Sequence, residues 1–431
     1  MTERKSSDTE HDLVDLAQRV LPAGGFGNMA QEVIIASGRG GRVWDVSGNE
    51  YVDYLLGSGP MLVGHAHPEV VAVVEEQVRK GTTFFTNNEH GIRLAAEIVD
   101  AVPCADQVRF VSSGSEADLY ALRLARAFKR REKILKFEGG YHGMSDYGLM
   151  SLAPKRVRNF PRPIPDSAGI PKSVQDEVLV APFNDLATVE SILREHRDEI
   201  AAIIVEPFQR LLAPQPGFLA GLRRLTEEYG ILLIFDEVVT GFRFAYGGAQ
   251  KYYGVVPDIC TLGKTIGGGF PLAAIAGRAD IMAHFDKAAV AADDFLMQVG
   301  TLSGNPVAAA AGLKTLEILK RPGAYETIFA TGRALMEGFD KILQAAGVKA
   351  RVVGDAPMFD LVFSERPVND YRSAIGDQDA MKRLNGLLRE RGILKGDSKY
   401  YVSLAHTAED VRFTLDAFAS ATAAFVRAKA A

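Results

Sequence analysis

From residue 107 onward the chain reads as short apolar runs set between longer stretches. The runs are QVRFVSS, KILKFEGG, AAIIVEP, ILLIFDEVV, ICTLGK and LAAIAGR, and most of the intervening stretches are amphipathic or polar. Unbroken apolar runs fit strands buried on both faces of a mainly parallel sheet. Their alternation with amphipathic stretches predicts an α/β domain over about residues 75–310. The last two runs stand closer together and break the rhythm.

The flanks read differently. Residues 11–21 have helical spacing at Leu13, Leu16, Val20 and Leu21. The stretch VIIASGRGGRVWDVSGNEYVDYL predicts hairpin strands with a turn at Ser47-Gly48-Asn49, and a helix follows Pro68 to about Arg79. Beyond residue 311 come helical segments, the strand-like MFDLVF, and helices over 379–391 and 408–428. The expected division is residues 1–75 as an N-terminal segment of a smaller domain, 76–310 as the large domain, and 311–431 completing a small, discontinuous α+β domain. A loop from Ala153 to Pro171 with five prolines is a candidate lid or a plain surface connection.

Composition narrows the function classes. With 49 Lys+Arg against 54 Asp+Glu, the formal charge is −5. That argues against a nucleic-acid binder. Two cysteines, Cys104 and Cys260, allow no disulfide framework and suit a reducing cytoplasm. The start, MTERKSSDTEHD, has no apolar signal core, and no apolar run is long enough to predict a membrane span.

Three clusters carry chemistry. In RFVSSGSEADLYALRLARAFKR a strand ends at Ser112-Ser113-Gly114-Ser115 and a helix begins near Glu116. Helix N–H groups with serine hydroxyls can bind an anion. An ordinary N-cap explains the same residues. In ILLIFDEVVTGF, Asp236 ends an apolar strand, at the sheet edge where ligands of open α/β sheets bind. A carboxylate there needs a cationic partner or a metal. Reading it as the magnesium acid of an ATP-binding protein requires a G-x-x-x-x-G-K-[ST] loop. DICTLGKT fails that pattern, because Asp258 stands where the first glycine is required.

Lys264 ends the run ICTLGK, flanked by Gly263 and Gly267-Gly268-Gly269. Such a lysine can act as a nucleophile and form Schiff bases. A snorkelling surface lysine is its plain reading. Together the clusters supply an anion cup, a buried acid and a strand-end lysine. Pyridoxal phosphate (PLP) needs all three: donors for its phosphate, an acid at its ring nitrogen and a lysine at its aldehyde. Tyr141 and His142 in EGGYHGM supply an aromatic for its ring. No metal site is expected. His65-Ala66-His67 reads as a turn opening a helix, and Gly38-Arg39-Gly40-Gly41 as a hairpin turn.

The motifs SSGSEA, EGGYHG, VEP, FDEVVTGFR, AYGGAQKYYGVVPDICTLGKTIGGG, GTLSGNP and SLAHTAEDV resemble those of the class III aminotransferases of fold type I, most closely the glutamate-1-semialdehyde aminomutase branch. The resemblance runs from about residue 21 to the C-terminus. It implies a large, mainly parallel-sheet PLP-binding domain and a smaller discontinuous α+β domain. Lys264 matches the Schiff-base lysine and Asp236 the partner of the pyridinium nitrogen. Val238 matches the residue on one ring face and Tyr141 the aromatic on the other. Ser113, Gly114 and Ser115 match the phosphate cup, and Glu206 an acid near the cofactor's phenolic side. Thr301 matches a threonine reaching the phosphate of a neighbouring subunit, which implies a homodimer with sites at the interface.

The departures fall on the substrate side. Aminomutases of this kind carry an N-S-P-V-R type segment after the first Pro-Gly-Gly. Here Pro22 to Ala30 reads PAGGFGNMA, without an arginine. Ser58 stands before Gly59-Pro60-Met61, where the aminomutases place a tryptophan. The acid that precedes their SLAHT segment is missing from Gly396-Asp397-Ser398-Lys399-Tyr400-Tyr401. The expected activity is therefore transfer of an amino group from an amine or amino acid, β- or ω-amino included, to a keto acid or aldehyde. The route is ping-pong through a Lys264 aldimine. Glutamate-1-semialdehyde aminomutase activity is the alternative, and a non-catalytic or ATP-binding α/β protein a third reading. Arg162, Arg210 and Arg243 are candidate partners for a substrate carboxylate.

Overall fold

In the computed structural model, which describes residues 4–28 and 33–430, the chain forms two compact units. The first takes the chain up to Pro68, then Pro322–Pro367, then Ala374 onward. Strands β1 (Ile35–Arg39), β2 (Arg42–Asp45) and β3 (Glu50–Asp53) form an antiparallel meander, and Ile393–Leu394 adds to β3 in parallel. Gly40-Gly41 turn β1 into β2, with Gly40 at φ +57°. A second, three-stranded sheet joins Arg351–Asp355, Met358–Val362 and Tyr400–Tyr401. The helices Ala324–Ala345 and Ala408–Ala430 pack together, with the Phe339 and Phe418 rings stacked at 3.9 Å.

The second unit is Glu69–Arg321 with Val368–Ser373. Its sheet comprises β4 (Gln107–Val111), β5 (Lys133–Phe137), β6 (Val178–Ala181), β7 (Ile200–Val205), β8 (Leu232–Glu237), β9 (Ile259–Leu262) and β10 (Ala273–Gly277). Their spatial order is β4-β10-β9-β8-β7-β5-β6. The pairs among β6, β5, β7, β8 and β9 are parallel, and β10 is antiparallel to both neighbours. This is the mostly parallel α/β sheet the apolar runs predict. The close spacing of the last two runs is explained by β10 doubling back beside β9.

Every residue of β7 and β8 is buried, because helices cover the sheet. The helix Gly114–Lys129 crosses β4, β7, β8, β9 and β10, packing Ala117, Ala121, Leu124 and Ala125 into a core with Ala202, Ile204, Ile234 and Ile275. Fully burying one such Leu or Ile contributes about 1.5–3 kcal/mol, so the sheet centre is the rigid part of this unit. The helix Pro306–Leu319 packs on Glu89–Ala101 and on the turn at Lys264–Gly267 and so stays with this unit. Divisions at 75/76 and 310/311 would fall inside the helices Pro68–Lys80 and Pro306–Leu319.

Candidate active site

The chemistry-bearing residues leave the sheet at one edge, the carboxyl end of its parallel strands. Ser113 follows β4, Tyr141 and His142 follow β5, and Glu206 follows β7. Asp236 lies in β8 with Val238 just beyond it, and Lys264 opens the turn after β9. Parallel strands end together at this edge, which gathers residues distant in sequence.

The residues read as a cap or an anion cup do form a cap. Ser113 is the N-cap of the helix Gly114–Lys129, its Oγ accepting from Glu116 N–H. Glu116 in turn accepts from Ser112 N–H at 2.9 Å and from the Ser113 hydroxyl at 3.0 Å. These bonds fix the first turn, with Glu116 reaching back to the residue before the cap, and leave the remaining N–H groups of that turn at the sheet edge. Ser115 Oγ accepts from Met144 N–H at 3.1 Å, which ties the helix start to the loop carrying Tyr141 and His142.

Asp236 is 4% exposed, and it pairs with His142. Its Oδ2 lies 2.8 Å from His142 Nδ1, and its Oδ1 accepts from Val238 N–H at 3.1 Å. His142 Nε2 is buried without a partner among the described residues. Tyr141 N–H donates to Glu206 Oε2 at 2.8 Å, and the Tyr141 ring is 39% exposed. Burial pushes the Tyr141 phenol up, with Arg210 opposing.

Two glycines pack closely on Val238. A Cβ added to Gly114 would come within 2.9 Å of a Val238 methyl, and one added to Gly263 within 3.1 Å. Only glycine leaves the valine face clear on both sides. Lys264 sits at φ +48°, a left-handed conformation that bends the chain sharply out of β9. Helix donors, a valine floor, a buried acid and an exposed ring are the features that a flat, phosphorylated, nitrogen-containing ring requires. The residues fit PLP.

The other candidates are placed less centrally. Arg210, at φ +58°, donates to Gly139 O at 3.0 Å and lies 5.3 Å from the Tyr141 ring centroid. Arg243 is fully buried, with Nε donating to Val239 O. Arg162 is exposed on the 153–171 loop, and Thr301 lies on an exposed turn. Ser58 belongs to the other unit, at an exposed turn with φ +66°. Of the Pro22–Ala30 segment, Met29 and Ala30 lie outside the described residues.

Two groups escaped the sequence reading. Asp118 is 2% exposed and accepts from the Thr261 hydroxyl at 2.7 Å, beside Asp236. A lone acid among the apolar positions of a helix that crosses a sheet was its signal. Lys136 is fully buried inside β5, where KILKF carries a second charge among apolar residues.

The family model for "Aminotransferase class-III" matches residues 26–414. The chain belongs to the class III aminotransferases. Among curated members of this family, a glutamate-1-semialdehyde 2,1-aminomutase of Desulfitobacterium hafniense is 43% identical over 416 residues, covering 93% of this chain and 94% of that one. An omega-transaminase from Sphaerobacter thermophilus superposes with a TM-score of 0.91 at 35% identity, covering 97% of each chain. A transaminase solved with PLP bound also gives 0.91, at 30% identity over 99% of this chain and 100% of that one. This class III aminotransferase is a PLP-dependent enzyme of fold type I, acting on amino and carbonyl substrates. No described helix is long and apolar enough to cross a membrane.

Proposed function

We propose that the protein moves an amino group from an amine or amino acid, β- or ω-amino acids included, to a keto acid or aldehyde in two ping-pong half-reactions. The observation that carries this reading is the convergence of Asp236, His142, Val238 and Lys264 on one sheet edge. The substrate-side departures, Ser58 and the absent arginine, separate it from the aminomutase pattern. The omega-transaminase similarity supports it as well.

Bound PLP supplies an aldehyde for amines to condense with and a ring that accepts electrons. The protein's residues do the rest. Lys264 is the residue that would hold the aldehyde, and its Nζ would move a proton at the substrate carbon as base and acid. Asp236 holds a proton at the ring nitrogen, and His142 Nδ1 orients that carboxylate. Val238 and Tyr141 flank the ring. Ser113, Gly114 and Ser115 would hold the phosphate, and Glu206, bonded to Tyr141 N–H, would stand on the phenolic side. Thr301, on an exposed turn, would reach the phosphate held by a second copy of the chain, which makes the working form a homodimer. Glu69–Arg321 with Val368–Ser373 is the cofactor-binding domain. Arg162 and Arg210 have exposed or loop positions suited to a substrate carboxylate, whereas the burial of Arg243 points to support of the fold.

The second reading, glutamate-1-semialdehyde 2,1-aminomutase, is favoured by the 43% identical relative. The test is a panel of amines, β-amino acids and ω-amino acids mixed singly with the holoenzyme without acceptor. Loss of the visible cofactor band with one of these donors is expected. Conversion of glutamate-1-semialdehyde to 5-aminolevulinate without a keto acid, with no donor on the panel reacting, would overturn the first reading in favour of the second.

A further inference from the structure

Oxygens of Asp118 and Asp236 and a ring nitrogen of His142 all lie within 4.8 Å of one another, and all three residues are buried. Two carboxylates this close and this far from water resist ionising together. The hydrogen bonds decide which one holds the proton. Asp236 is approached by three donors: His142 Nδ1 at 2.8 Å, Val238 N–H at 3.1 Å and the Thr261 hydroxyl at 3.4 Å. Asp118 has one, the Thr261 hydroxyl at 2.7 Å. That hydroxyl has a single proton and stands closer to Asp118. Asp236 therefore keeps two N–H donors to stabilise its charge. Asp118 has none, and a carboxylate so poorly solvated takes up a proton.

We propose that Asp118 is a positioning residue, held as the neutral acid and donating its proton to Asp236, so that it sets how strongly Asp236 holds a proton at the cofactor's ring nitrogen. The proposal rests on the reading that Asp236 faces that nitrogen. Burial, followed by the Asp236 charge, pushes the Asp118 carboxyl well above the usual range, with Thr261 opposing. Other ionisable groups that act on this corner are Glu206, Lys136, Tyr141 and His142. Asp118 is not a catalytic residue. It lies beside Asp236, which on that reading is the residue that would face the ring.

The test uses two variants and no substrate, so an error in the donor class leaves it intact. Asp118→Asn keeps the shape and a neutral donor, whereas Asp118→Ala removes the donor. In the protein without cofactor near pH 7, infrared difference spectra should show a protonated carboxyl band in the wild type that Asp118→Asn lacks. In the holoenzyme loaded with PLP labelled with nitrogen-15 in the ring, Asp118→Asn should keep the wild-type ring-nitrogen shift. Asp118→Ala should move the pH midpoint of that shift by about one unit or more, the equivalent of one lost hydrogen bond to a charged group. A wild type with no such band overturns the proposal. So does an Asn variant whose ring-nitrogen shift departs from the wild type. If the Ala variant fails to fold, the infrared band and the Asn variant decide the matter. Failure of Asp236 to face the ring nitrogen would read differently: the infrared band would be present, and neither variant would move the ring-nitrogen signal.

Discussion

The two units bury charge in opposite ways. In the first, Lys395 Nζ lies 2.9 Å from Asp360 Oδ2, and both side chains are almost fully enclosed. The ammonium also donates to Asn385 Oδ1 at 3.1 Å and lies 5.0 Å from the Tyr400 ring centroid. Burial pushes the Asp360 carboxyl up, and Lys395 pulls it back. In the second unit, Asp118 and Asp236 are placed together beside His142, whose Nδ1 lies 2.8 Å from Asp236 Oδ2 and whose Nε2 has no partner among the described residues. An opposite-charge pair closes on itself and holds a fold. A like-charge pair is incomplete and is satisfied by a proton or by a group that arrives. The difference separates structural ion pairs from a site poised for a ligand.

The sharpest way to break this contrast is to remove the chemistry from each unit in turn. Lys264→Ala should lower transamination by at least about 10²–10⁴-fold, the range general acid–base catalysis supplies. Steady-state rates check this, and full activity in the variant would remove Lys264 from the mechanism. Lys395→Ala, in the other unit, should behave in the reverse way. It strands a buried carboxylate, which costs about 3–5 kcal/mol of stability. Denaturant unfolding reads that loss, while the visible spectrum of the bound cofactor should stay that of the wild type. A changed spectrum with unchanged stability would show that the Asp360–Lys395 pair belongs with the site and not with the fold.

Much of the second unit was legible because its signals are local. AAIIV and ILLIF are apolar throughout and became the fully buried β7 and β8. Ser113 caps its helix as the local sequence predicts, with Glu116 in the acidic first turn. Asp236 and Lys264 stand out because each closes an apolar run at a strand end. What stayed hidden depends on facing and on distant packing. Asp118 becomes notable only when its helix turns that side toward Asp236 and Thr261. Arg243 reads like any arginine in a loop until the fold buries it completely. The helix Pro306–Leu319 has the composition of a new domain, and only its packing on Glu89–Ala101 assigns it to the old one.

Lys136 offers a third arrangement, a buried cation closed by dipoles instead of by a carboxylate, and it sharpens the contrast with the smallest expected effect. Its ammonium donates to Gly140 O at 3.1 Å, Gly148 O at 2.8 Å and Met150 O at 2.6 Å. These carbonyls belong to the loop that carries Tyr141 and His142. Three carbonyls take up all three N–H donors of an ammonium. Carbonyl dipoles compensate burial less completely than a full negative charge does. Burial accordingly draws the Lys136 amine down from 10.5 to about 7. With the folded value below the unfolded one, the unfolded chain holds more protons at every pH between them. Stability contributed by this group therefore rises with pH from about 7 to about 10 and is level below 7, with a slope of at most roughly 1.4 kcal/mol per pH unit. Unfolding free energies of wild type and Lys136→Met, measured in parallel across that window, isolate the group, because the remaining lysines cancel. The wild type should gain on the variant as pH rises. A difference that stays level or falls would mean that the three carbonyls hold the ammonium as firmly as a carboxylate would.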